Sequence, residues 1–87
     1  MSKSTDEAIQ SAAKGFAIIP TDPEEVRNAK IKDSMLNRDD WEEFNNRLCA
    51  ELKIRGCTIL QGQLNPFWVD NKTFRDLIDY VDQRCGF

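Results

Sequence analysis

From Cys57 to Asp70 the chain reads CTILQGQLNPFWVD, and the way this stretch is parsed decides the fold. Residues 57–60 (CTIL) and 66–69 (PFWV) combine β-branched, aromatic and aliphatic side chains, and between them lies QGQLN, a five-residue connection that contains a glycine. That arrangement predicts two short strands joined as a β-hairpin. Alternation along the second strand puts Phe67 and Val69 on one face and Trp68 on the other.

Upstream, Trp41, Phe44, Leu48 and Leu52 repeat at helical spacing and form one apolar stripe. Asp39 and Glu42 suit the cap and third positions of that helix. Its first turn is crowded with Asp39, Asp40, Glu42 and Glu43, its last turn carries Lys53 and Arg55, and Gly56 supplies the stop. Downstream, Asp70 is the expected cap of a final helix, with Val69 stapled onto Phe74. Leu77, Ile78, Val81 and Cys85 continue its inner face to Gly86.

Further out the elements shorten. Asp22, Pro23, Glu24 and Glu25 specify a helix start, and Val26, Ala29, Ile31, Met35 and Leu36 give that helix an imperfect apolar face ending near Asp33 or Ser34. Phe16, Ala17, Ile18 and Ile19, between Gly15 and Pro20, read as a short buried strand. Ser4 to Glu7 form a capping box in front of Ala8, Ile9, Ala12 and Ala13. Residues 1–15 are therefore either a short docked helix or a mobile arm, and residues 16–87 a single compact domain. The expected class is α+β, three to four helices with a small antiparallel hairpin. The order helix, strand, helix, helix, strand, strand, helix resembles that of a winged-helix domain with an added C-terminal helix.

Composition narrows the function. The 87 residues are 40% hydrophobic with a mean hydropathy of -0.58, ordinary for one small globular domain. The longest apolar run, residues 16–19, is far short of a membrane span, and residues 1–10 lack the apolar core of a signal peptide. The expected location is cytoplasmic, in a bacterium or a host cell. Cys49, Cys57 and Cys85 follow no CxxC ligand spacing and are expected to be reduced, largely buried thiols without a metal. With no histidine in the chain, zinc would need an unusual donor set, and the Ser-His-Asp and Cys-His nucleophile systems are excluded.

No phosphate-binding glycine loop, dinucleotide fingerprint or HExxH helix occurs. Glu51 and Lys53 would diverge on a helix, and the acid pairs Asp39 with Asp40 and Asp76 with Asp79 suit caps and solvated faces. No enzyme activity and no cofactor are expected. The leading expectation is a small acidic regulator or adaptor that binds a larger protein, of a kind that suits a phage or prophage accessory factor, acting as a monomer or homodimer. Its candidate contacts are Trp68, Leu64, Leu60 and Phe87, on the apolar patch the hairpin would leave exposed. In the competing arrangement the first helix or the tail covers Trp68. The alternative function is a winged-helix nucleic-acid binder using Arg27, Lys30, Lys32, Lys53 and Arg55. A net charge of -3 and the acids at the start of the would-be recognition helix disfavour it.

Overall fold

The computed structural model describes residues 3–13, 28–34 and 37–86. Among them the chain is mainly helical: α1 (Lys3–Ala13), α2 (Ile31–Ser34), α3 (Arg38–Ile54), α4 (Gln61–Val69) and α5 (Phe74–Cys85). The expected α+β class, hairpin and winged-helix order are overturned, because no sheet or hairpin exists among the described residues. The second proposed strand, residues 66–69, is the C-terminal half of α4. The first, residues 57–60, is an unpaired connection. The expected strand at residues 16–19, the helix start at residues 22–25 and the stop at Gly15 lie outside the described residues.

Helix α3 follows its apolar stripe, burying Trp41, Phe44, Leu48 and Leu52. Its cap is Asn37, not Asp39: the Asn37 side chain accepts the Asp40 N–H at 2.9 Å, which leaves Asp39 and Asp40 as first-turn acids beside the positive end of the dipole. At the other end Gly56, at φ +87°, turns the chain through the left-handed region. The Gly56 N–H donates to the Lys53 carbonyl at 3.0 Å and the Cys57 N–H to the Leu52 carbonyl at 2.8 Å, the paired bonds of a Schellman stop.

Helix α4 has poor local credentials. Leu60 occupies its cap position and has no side-chain oxygen to offer, so the Gln63 side chain reaches back to accept the Leu60 N–H at 2.8 Å. Pro66 inside the helix has no N–H for the Gly62 carbonyl, a defect worth about 3 kcal/mol in a helix interior. Contacts with α3 outweigh it. Leu64 is wholly buried. The Asn65 Oδ1 accepts from Trp41 Nε1 at 3.1 Å and from Asn45 Nδ2 at 3.2 Å, while Asn45 Nδ2 also reaches the Gln61 carbonyl at 3.0 Å. Asn45 is buried, so leaving its amide unpaired would cost about 1 to 3 kcal/mol, and only the helical form of α4 brings Gln61 and Asn65 to it together. The helix ends at Asn71, φ +53°, with the Asn71 N–H on the Trp68 carbonyl and the Lys72 N–H on the Phe67 carbonyl, a second Schellman stop with asparagine where α3 has glycine.

The cap of α5 is Thr73, not Asp70. Thr73 Oγ1 accepts the Asp76 N–H and the Asp76 carboxylate accepts the Thr73 N–H, both at 3.3 Å, a reciprocal box that Asp70 could not form from within the preceding turn. Gly86, left-handed at φ +69°, closes the helix as its position suggests. The expected continuous second helix is interrupted. Ala29 and Lys30 leave helical backbone to form one isolated antiparallel bridge, in which the Ile31 N–H donates to the Lys72 carbonyl at 2.9 Å and the Phe74 N–H to the Ala29 carbonyl at 3.0 Å.

These helices enclose one core. Thr5, Ala8, Ile9 and Ala12 line one face of α1 at helical spacing, and the two alanines let it lie close against α3 and α5. The buried Thr5 hydroxyl donates to the Asp82 carboxylate of α5. Phe44 meets Phe74 edge to face at 6.1 Å, and Phe67 packs on Tyr80 at 5.2 Å. Each buried large apolar side chain contributes about 1.5 to 3 kcal/mol.

The cysteines also differ from expectation. Cys57 and Cys85 form a disulfide, their Cα atoms 5.5 Å apart, and Cys49 is the single free thiol. The Schellman turn sends Cys57 back toward the body of the protein and the end of α5 meets it there, a proximity that spacing alone does not reveal.

Candidate functional site

The site begins at the turn through Gly56. Cys57 is tied to Leu52, and Gln61 is tied to Asn45 and Asn46, the latter through Gln61 Nε2 to Asn46 Oδ1 at 2.8 Å. Residues 45 to 52 cover about 10 Å of helix axis, so the chain from Cys57 to Gln61 must run extended and antiparallel to α3. Small side chains on α3 keep the space between them open. The result is a groove of about 230 Å³ lined by Asn46, Cys49, Ala50 and Lys53 from the helix and by Thr58, Ile59 and Leu60 from the connection.

Two large apolar side chains stand at this end of the molecule without cover: Ile54 is 78% exposed and Leu60 is 67% exposed. Leu60 is at the groove itself, and Ile54 follows Ala50 by four residues on the same outer face of α3. The Cys49 thiol donates to Asn45 Oδ1 at 3.5 Å, and burial pushes its pKa above the ordinary 9.0. Burial therefore favours the neutral form of this lining thiol.

Charge on α3 is mostly self-compensated. Arg38 pairs with Glu42 at 3.1 Å, Arg47 with Glu43 at 2.7 Å and Arg55 with Glu51 at 2.7 Å, each one helical turn apart. Among the described residues Asp39 and Asp40 stand in the first turn without such a pair, and Lys53 is the one base of α3 without one. It has no carboxylate within 4.0 Å among the described residues, and it lines the groove.

The residues expected to bind a partner are not brought together. Leu64 is 0% exposed and belongs to the core, which removes it from any surface patch. Trp68 is half-buried, with the Lys32 ammonium 4.8 Å above its ring. Helical geometry is the reason: at four residues' spacing Trp68 follows Leu64 toward the core, whereas a strand would have turned it away from Phe67. Leu60 alone remains an exposed apolar contact, and Phe87 lies outside the described residues. Val69, 60% exposed, is at the far end of α4.

The basic candidates are also dispersed. Arg27 lies outside the described residues; the Lys30 backbone is engaged with Thr73; the Lys32 ammonium donates to the Val69 carbonyl at 3.4 Å. Lys53 and Arg55 are beyond the opposite end of α4, about 13 Å of helix away, and Arg55 is held by Glu51. Among the described residues no three of Cys, Asp and Glu converge on a point where a metal ion could be held. Asp76 is used in the Thr73 cap, and Asp39 and Asp79 are exposed.

Sequence reading missed Ile54, Ala50 and Cys49 as one surface, with Ile59, itself buried, lining the groove beside them. A signal for Ile54 was present, because it falls two residues past Leu52, off the inner stripe of α3. None existed for the groove, which needs the return path of residues 57–60. Comparison with protein-family models, curated proteins and solved structures finds no match for the chain.

Proposed function

We propose that this protein is a small non-enzymatic regulator or adaptor that binds a larger protein partner through the groove between α3 and residues 57–60. The observation that carries this reading is the pair of uncovered aliphatic side chains, Ile54 and Leu60, beside a cleft lined by Cys49, Ala50 and Ile59. Exposed aliphatics flanking a concave apolar surface cost solubility and gain free energy when a partner covers them. The lack of histidine and the neutral state of the groove thiol support a binding role over a catalytic one.

Site-directed photocrosslinking tests it. A photoreactive amino acid at Leu60 is expected to yield a discrete adduct in extract of the source cells, while the same group at Gln83, exposed on α5, yields none. Equal labelling from both positions, or none from either, overturns the reading.

A further inference from the structure

Resting on the groove as a docking surface, the geometry points to the chemistry of its occupant: a protein segment that presents a carboxylate next to apolar side chains, the carboxylate meeting Lys53 and the apolar groups covering Leu60 and Ile54. The argument is one of charge complementarity. Arg38 and Arg47 on α3 and Arg55 at its C-terminal cap are each paired one turn away with Glu42, Glu43 and Glu51. Among the described residues Lys53 is the one base of α3 with no carboxylate within 4.0 Å, and it lies on the wall of the apolar groove. The neutral Cys49 thiol, Ala50, Thr58 and Ile59 that share the wall supply no negative charge to offset it. A basic segment would be repelled at this point and a purely apolar one would bury the ammonium unpaired, whereas an acidic-apolar segment satisfies both features. Asp76, Asp79 and Asp82 on α5 do not line the groove.

Selection from a random twelve-residue peptide library displayed on phage, using the intact full-length protein, tests the assignment. Peptides are kept if they bind wild type and not Leu60→Ser, a neutral change that does not itself select for charge, and circular dichroism establishes that both proteins are folded. Enrichment of Asp or Glu beside Leu, Ile, Phe or Trp is expected, and Lys53→Glu should weaken the selected peptides about ten-fold, with Lys53→Met falling between. The Lys53→Glu protein should itself select Lys and Arg. Peptides without acids, or acids retained equally on Lys53→Glu, overturn the assignment while leaving the docking surface standing. If no peptide distinguishes wild type from Leu60→Ser, the docking surface falls with it. Light scattering on the same samples covers the remaining case: wild type forming a dimer that Leu60→Ser abolishes would make a second copy of the chain the occupant and overturn the proposal.

Discussion

Helix α3 carries an amide cap, an acidic first turn, three ion pairs at one-turn spacing and a glycine stop, while helix α4, lying against it, holds Gly62, Asn65, Pro66, Trp68 and Val69 within nine residues. In the first, caps, dipole charges and ion pairs agree with the backbone that forms. In the second, Gly62, Asn65, Pro66, Trp68 and Val69 oppose it, and the conformation is set by Asn45, Trp41 and the space reserved for Leu64. The difference shows that a helix in a small protein can be imposed by its neighbours when they offer buried partners that no strand could satisfy.

The strongest way to break this contrast acts on the anchor next to α4. Reducing the Cys57–Cys85 bridge, or replacing both residues with serine, releases a loop closed over a separation of 28 residues. Chemical denaturation should report a loss of about 3 to 4 kcal/mol, and a change below about 1 kcal/mol would show that the bridge does not form in solution. Leu64→Ala should cost about 3 kcal/mol through the cavity it leaves. An effect near zero in a thermal melt would place Leu64 at the surface and restore the hairpin.

Pro66→Ala distinguishes the two conformations by sign. In a helix it returns an N–H to the Gly62 carbonyl and should raise stability by about 1 to 2 kcal/mol; in a hairpin the same change would give no such gain. Smallest is Asn71→Gly. It relieves a left-handed residue at φ +53° and should stabilise by up to about 1 kcal/mol, whereas a loss would mean that the asparagine side chain contributes more than the conformation costs.

Much of α3 and α5 was legible from residues alone. Trp41, Phe44, Leu48 and Leu52 mark the buried face of one, and Phe74, Leu77, Ile78 and Val81 that of the other. Their caps were misplaced by two or three residues, because Asp39 and Asp70 have the chemistry of a cap but Asn37 and Thr73 have the position. Residues 57–69 misled for a more specific reason. Aromatic and β-branched side chains at residues 66–69 carry strand preference, and a nine-residue segment offers too few turns for helical periodicity to show. Of the expected contact residues Leu60 stayed on the surface, Leu64 went into the core and Trp68 was half covered.

What the sequence determined by itself is whatever can be settled within four residues along the chain: apolar stripes, ion pairs one turn apart, and glycine stops at Gly56 and Gly86. Tertiary structure decided the rest. The helical state of α4 depends on hydrogen bonds from Trp41 and Asn45 to groups 16 to 24 residues away, and the cysteine pairing on a separation of 28. The groove exists only because the chain returns along α3 after Gly56. Local sequence cannot encode these outcomes, since each follows from which buried polar groups and cavities meet once distant segments pack together.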